Sequence, residues 1–333
     1  VYIGGQMFNC LLVTKDDQGY KTSFTQLSDD NLLQGNVLVK VLYSTLNYKD
    51  ALAITGKAPV IRSFPMIPGI DFVGTVQESE SNAFQVGEHV LLNGFGVGEK
   101  HMGGLSQKAK VSSDWLIPLP KNISPLQAMS IGTAGYTAML CILALEKSGL
   151  TPDKGKVLVT GATGGVGSFS VKLLSLMGYT VVASTGSTEQ YDYLYDLGAS
   201  EIIDRTSLSA PDKPLLKEQW AGAIDSIGSH TLANVCASIQ YGGSVAACGL
   251  AQGMDLPASV APFILRGVSL LGVDSVMRPK KDRVEAWQKL SELLPENEMQ
   301  SIAQVIGLEA SIDVADKLLK GDVTGRVVVD VNK

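Results

Sequence analysis

The sequence predicts an α/β protein of two domains, a β-rich first domain followed by a doubly wound parallel sheet of six strands. Three observations carry that expectation. The chain has 333 residues, enough for about two domains that each bury a core. Up to residue 124 it holds short β segments broken by Pro and Gly, with no long amphipathic helix among them. From Lys156 onward short apolar runs alternate with helical stretches in the βαβ manner.

In chain order, the β segments expected in the first domain are Phe8–Val13, Val37–Tyr43, Asp71–Val76, His89–Asn93 and Ser106–Val111. At Pro125 the pattern changes, and Leu126–Leu145 reads as a helix that opens the second domain. Its six strands are expected at Val157–Thr160, Thr180–Ser184, Glu201–Asp204, Gly222–Asp225, Ser244–Cys248 and Ser269–Val273. They are short and nearly all apolar, as parallel strands covered on both faces must be. After Pro279 a helix at Asp282–Leu294 leads to a last β segment, Gly325–Val331, whose character matches the first domain. The expected division is thus 1–124, 125–277 and 278–333, with the last segment returning to the first domain. Met7 is the expected natural start, residues 1–6 reading as an expression remnant.

Composition excludes several function classes. Lys plus Arg number 27 against 33 for Asp plus Glu, and a net charge of −6 offers no global positive field to nucleic acid or an anionic membrane. No window reaches the roughly 18 uninterrupted apolar residues of a membrane span. Cys10, Cys141, Cys236 and Cys248 lie far apart without a C-x-x-C pair, which argues against a disulfide framework and a structural zinc lobe and for a reducing cytoplasm. His89, His101 and His230 lack metal-ligand spacing.

The strongest motif follows the strand Val157-Leu158-Val159-Thr160: Gly161-Ala162-Thr163-Gly164-Gly165-Val166-Gly167, then a helix over Ser168–Met177. A pyrophosphate must come within hydrogen-bond reach of backbone N–H groups at a helix N-terminus, where a Cβ would block it. The strand before and helix after favour dinucleotide binding over a bare turn. NAD-dependent sites place Asp or Glu about 20 residues downstream for the ribose 2′-OH. Here that place reads Ser184-Thr185-Gly186-Ser187, no carboxylate intervenes before Glu189, and Arg205 follows the next strand. Hydroxyls and an arginine suit a 2′-phosphate, so NADPH is the expected cofactor; a solvated surface role is the alternative for Arg205.

Taken together, a β-rich front, a dinucleotide-binding middle and a returning tail resemble the medium-chain dehydrogenase/reductase superfamily, which implies a GroES-like catalytic domain and a Rossmann domain. Zinc-dependent members carry Cys and His ligands in the front domain. This sequence has Asn47 and Ile70-Asp71 at the matching places, so a zinc-free branch is implied. Narrower likeness lies in Asn47-Tyr48-Lys49-Asp50-Ala51-Leu52-Ala53-Ile54-Thr55-Gly56-Lys57, Phe64-Pro65-Met66-Ile67-Pro68-Gly69-Ile70-Asp71, Tyr241-Gly242-Gly243, Pro262-Phe263-Ile264-Leu265-Arg266-Gly267 and Gly272-Val273-Asp274-Ser275-Val276. These segments resemble the bacterial NADPH-dependent acrylyl-CoA reductases, a family that has also carried the label of quinone oxidoreductase.

The resemblance implies hydride transfer to the β carbon of a short enoyl thioester and protonation of its α carbon. It places Tyr48 beside the nicotinamide as the candidate proton donor, with Asn47 and Asp50 shaping the pocket floor. Asp50 is equally suited to fixing loop geometry. Related enoyl reductases use a tyrosine further along, where this chain reads Lys57-Ala58-Pro59-Val60. Thr163, Gly164, Gly165 and Val166 fall at the pyrophosphate, Ser184, Thr185, Gly186 and Arg205 at the 2′-phosphate, and Leu250, Ile264 and Ser275 along the ribose and nicotinamide. Arg326 is a further cofactor candidate, with a strand-edge ion pair as its alternative. Lys57, Arg62 and Lys100 are candidate anchors for the phosphates of coenzyme A, each otherwise a solvated loop charge. The same fold allows reduction of quinones or other enones, and a non-catalytic NADPH sensor is the reading of a different class. A homodimer through the sheet edge at Ser269–Val273 is also implied.

Overall fold

Continuous apolar runs and alternating ones fold here into two kinds of sheet. The computed structural model describes residues 5–17, 19–32, 34–294 and 302–333, so residues 1–4 of the expected remnant lie outside the described residues. The chain divides into two units, Ala134–Asp274 and a discontinuous one made of Val1–Thr133 with Ser275–Lys333.

In the contiguous unit, strands Glu201–Asp204, Val181–Thr185, Val157–Val159, Trp220–Asp225, Ile239–Ala247 and Ser269–Gly272 lie side by side in that order, all neighbours parallel. This is the doubly wound arrangement of a Rossmann sheet. Val157, Leu158 and Val159 are fully buried, which explains their unbroken apolar character. The order reverses between Val157–Val159 and Trp220–Asp225, so the crevice beyond their carboxyl ends is where such sheets bind ligands.

The discontinuous unit is GroES-like: strands Ala303–Gly307, Arg326–Asp330, Val37–Leu46, Asp71–Ser79, His89–Asn93 and Ile117–Pro118 in that order, with Lys108–Val111 also paired to Val37–Leu46. The returning strand Arg326–Asp330 runs antiparallel to Val37–Leu46, with Val327 opposite Leu46. A hairpin, Met7–Asp16 with Gly19–Ser28, stands apart as its own sheet. Helix Lys280–Leu293 is fastened by Trp287, whose Nε1–H donates to Asn93 Oδ1 at 3.0 Å in the core. Removing that donor in Trp287→Phe orphans a buried acceptor, and urea unfolding is expected to show a loss of about 1–3 kcal/mol.

Among the described residues, Pro125–Lys147 is long and apolar enough to cross a membrane, but 89 % of its most apolar window is buried inside the protein. It is also broken at Gly132, whose φ of 52° and ψ of −159° lie outside helical geometry.

Candidate functional site

In the Rossmann unit the glycine-rich turn is shaped by contacts that forbid side chains. Gly161 has φ 58°, and a Cβ on Gly167 would lie 2.1 Å from the Gly161 carbonyl oxygen. Gly164 accepts from the Ser168 N–H at 2.8 Å and opens the helix Gly165–Leu176, whose first N–H groups have no intrahelical acceptor. A Cβ on Gly164 would meet only the Gly161 oxygen, at 3.4 Å. Thr163, Gly164, Gly165 and Val166 therefore line an open cradle at a helix N-terminus; the Gly164 N–H is given to the Gly161 carbonyl at 3.1 Å, and the helix-opening N–H groups after it fit an anionic dinucleotide.

The end of strand Val181–Thr185 stands at the place expected for the 2′-phosphate. Ser184 and Thr185 are both buried, and the Thr185 carbonyl accepts from the Arg205 N–H at 3.0 Å. The Arg205 side chain lies against Gly186: a Cβ there would come 2.5 Å from Arg205 Nε. Glycine at 186 thus lets an exposed guanidinium lie flat across the strand end, where its fork can take a phosphate. Leu250 and Ile264 are exposed on the same unit, whereas Ser275 opens the returning segment of the other.

A residue the sequence reading passed over ties the crevice together. Asp225 is fully buried at the end of its strand; its Oδ1 accepts from Thr160 Oγ1 at 2.7 Å and its Oδ2 from the Gly228 N–H at 2.8 Å. Burial first of all raises its pKa, and those hydrogen bonds oppose the rise. It welds the two strand ends at the reversal point. An acid closing an otherwise apolar strand was the available signal.

In the GroES-like unit, Asn47 caps helix Tyr48–Thr55, and Asp50 closes a capping box by accepting the Asn47 N–H at 2.8 Å. The Asn47 amide Nδ2 reaches Thr45 Oγ1 at 3.0 Å, Asp50 Oδ2 at 2.9 Å and Asp71 Oδ2 at 3.2 Å. Its Oδ1 accepts from Arg326 at 3.0 Å. Asp71 also accepts from Thr45 Oγ1 at 2.5 Å and from the Thr133 N–H at 2.8 Å, and Asp50 Oδ1 from the Ile70 N–H at 2.9 Å. Asp50 and Asp71 are fully buried and Arg326 is 3 % exposed. Two carboxylates, one guanidinium and one amide thus form a closed charged cluster beneath the first turn of the helix. Arg326, expected near the cofactor, stands in this cluster. Among the described residues its Nε and second terminal nitrogen have no hydrogen-bond partner, the latter aimed at Gly132, where a Cβ would lie 2.5 Å away.

Burial, then the Asp71 charge, pushes the Asp50 pKa up to about 7, against the hydrogen bonds from Asn47 and Ile70. Burial lowers the Arg326 pKa, and Asp71 and Asp50 resist that. An unfolded Asp50 titrates near 3.8, so between about pH 4 and 7 the folded state holds the proton more tightly. Its contribution to stability is complete below about pH 4 and is lost as pH rises to about 7. Urea midpoints compared across that range should fall with pH more steeply in the parent than in Asp50→Asn. Equal slopes would refute the assignment.

Tyr48 follows the cap and is 54 % exposed, so its phenol is available to a ligand. Lys49 is pinned to Glu99 at 2.7 Å and Lys57 to Asp316 at 2.8 Å, which ties Lys57 to the helix Ser311–Lys320. Arg62 and Lys100 are exposed. The structure therefore brings Asn47, Asp50 and Arg326 together, while Lys57, Arg62 and Lys100 do not share one cluster. Among the described residues, no three His, Cys, Asp or Glu side chains are grouped to hold a metal ion.

Residues 33–121 match the alcohol dehydrogenase GroES-like domain, and residues 165–296 the zinc-binding dehydrogenase domain. Acrylyl-CoA reductase AcuI of Ruegeria pomeroyi is 49 % identical over 98 % of this chain and 100 % of its own. The yhdH oxidoreductase of Salmonella enterica, solved in complex with NADP, is 50 % identical, with a TM-score of 0.95 over 97 % of this chain and 99 % of that one. The Bacillus subtilis protein yhfP, solved with NAD bound, is 45 % identical, with a TM-score of 0.94 over 98 % of this chain and 100 % of that one.

Proposed function

We propose an activity from one premise: this chain belongs to the acrylyl-CoA reductase family of the medium-chain dehydrogenase/reductase superfamily. The protein is an NADPH-dependent oxidoreductase that reduces the C=C bond of a short 2-enoyl-CoA, acrylyl-CoA to propanoyl-CoA, without zinc. The observation that carries the reading is 49 % identity with an acrylyl-CoA reductase along essentially the whole chain.

NADPH, when bound, supplies the hydride that adds to the β carbon. Thr163, Gly165 and Val166 would offer backbone N–H groups to its pyrophosphate over the bare Gly164, and Ser184, Thr185 and Gly186 with Arg205 would receive the 2′-phosphate. Exposed Leu250 and Ile264 would line the ribose and nicotinamide, the role also proposed for Ser275. On the substrate side Tyr48 donates its phenolic proton to the α carbon as negative charge builds on the thioester oxygen. Asn47 and Asp50 hold the helix that presents Tyr48, and Arg326 keeps Asn47 oriented. At the places where zinc-dependent relatives hold ligands, Asn47, Ile70 and Asp71 offer neither thiolate nor imidazole.

The assay follows nicotinamide absorbance with acryloyl-CoA, crotonyl-CoA and benzoquinone, each with NADPH and NADH. Turnover of acryloyl-CoA with NADPH is expected. Turnover of benzoquinone alone would transfer the site to quinones, and tight NADPH binding with no turnover would make the protein a sensor. Preference for NADH, as the NAD in yhfP invites one to check, would refute the role given to Arg205. The reading also includes a cytoplasmic homodimer joined at the sheet edge Ser269–Gly272. Sedimentation at micromolar concentration should give twice the chain mass.

A further inference from the structure

The GroES-like unit carries a second concave surface that the reduction chemistry leaves unused. It is a groove of about 210 Å³, smaller than the roughly 300–1,000 Å³ of sites that enclose a whole small molecule, so it suits one end of a longer ligand. Its floor is apolar and soft, from buried Leu32 and Met66 with half-buried Met102. One wall is aromatic. The His101 ring lies 4.7 Å from Trp115, Trp115 stacks on Phe95 at 6.0 Å, and the Arg283 guanidinium covers Phe95 at 3.9 Å. His101 is further fixed by Gln34, 2.8 Å from its Nδ1. This column makes the wall rigid before any ligand arrives.

Two ammonium groups, Lys100 and Lys110, line the same groove. Among the described residues neither forms an ion pair, although Lys49, Lys57, Lys108 and Lys156 all do. Of the carboxylates near them, Glu99 is engaged with Lys49 and Asp29 with Lys108. A rigid aromatic wall, a polarizable floor and two unneutralised cations make a site for a flat ring that bears a phosphate.

The groove is also joined to the helix that carries Tyr48. Lys49 holds Glu99, whose carbonyl accepts the Arg62 N–H at 2.9 Å, and the neighbouring residues Lys100 and Ser63 both line the groove. We propose that this groove receives the adenosine 3′-phosphate end of coenzyme A, with the purine against His101 and Trp115 and the 3′-phosphate between Lys100 and Lys110. The long pantetheine arm then runs along the loops of residues 58–66 and 94–102 toward Tyr48. The proposal deepens the enoyl-CoA reading and rests on it. It keeps Lys100 as an anchor, adds Lys110, and leaves Lys57 to its ion pair.

The test compares acryloyl-CoA, its 3′-dephospho analogue and acryloyl-pantetheine as substrates of the parent and of Lys100→Ala, Lys110→Ala and the double variant. In the parent, kcat/KM should fall about tenfold or more on removing the 3′-phosphate. In the double variant that discrimination should collapse to within about twofold. A parent indifferent to the 3′-phosphate, or a double variant that keeps the full ratio, would overturn the proposal while leaving the enoyl-CoA reading intact. Binding is read separately by calorimetry with adenosine 3′,5′-bisphosphate, with NADPH saturating so that the dinucleotide cradle is filled. Heat of binding in the parent that disappears in the double variant supports the groove even if no thioester turns over. No binding in the parent refutes it.

Discussion

Arg326→Ala should lose about 3–5 kcal/mol of stability at a pH above the Asp50 pKa of about 7, because it strands two buried carboxylates that share one cation. Asp50 and Asp71 are both inaccessible to water, and Arg326 reaches them through Asn47. Removing the guanidinium also frees Asn47 Oδ1, so the cap of helix Tyr48–Thr55 loses a restraint. Urea titration is the measurement, with an unchanged slope and a lower midpoint expected. Arg326→Lys retains charge but not the fork, and should recover part of the loss. A loss under about 1 kcal/mol in Arg326→Ala would show that the carboxylates are neutral in the parent and that the cluster is not held by charge.

The second large effect belongs to the cofactor. Hydrogen bonds to charged groups are worth about 1.5–3 kcal/mol, so Arg205→Ala should raise KM for NADPH by roughly 10- to 100-fold and leave KM for NADH nearly unchanged. The side chain is exposed and its backbone bond to Thr185 survives the substitution, so folding is not at stake. A change below about threefold would mean that the 2′-phosphate is held elsewhere.

Much of this architecture was legible because local chemistry dictated it. Glu201–Asp204 and His89–Asn93 have the expected bounds, and all six strands of the parallel sheet overlap the expected segments, although Trp220–Asp225 and Ile239–Ala247 begin earlier than their expected Gly222 and Ser244. The returning tail does pair with the first sheet. What escaped were elements whose cues are not apolar. Gly19–Ser28 is half-exposed along its length, and its Tyr, Thr and Phe alternate with polar residues. Helix Tyr48–Thr55 is short and declared mainly by its Asn47-x-x-Asp50 cap. Ala303–Gly307 and Ser311–Lys320 lie in a tail where only the last strand and one helix were expected.

The site was legible in parts rather than as a constellation. Asn47, Asp50 and Arg326 were each singled out, but for a pocket floor and a cofactor contact, and Asp71 only as the place where a zinc ligand was missing. Nothing in their spacing says that one amide touches all three charged partners, since they come from two strand ends, a cap and the first turn of a helix. The groove was glimpsed through Lys100 alone. Lys110 lies on a strand and Trp115 on a turn, and only folding brings them into one wall.

The strand Arg326–Asp330 has a temporal meaning as well. Arg326 meets Asn47 across 279 residues of sequence, so a ribosome must synthesise the whole nucleotide-binding unit before the first unit can be finished. Ala134–Asp274 is contiguous and can fold as it emerges, whereas residues up to Thr133 must wait with a missing strand and two acids lacking their cation. During that interval the edge of Val37–Leu46 stands open to pairing with other chains. Chaperone dependence and aggregation on overexpression should therefore track the delay before residue 326 appears, and a rearranged gene that encodes the tail ahead of the first strand should shorten it.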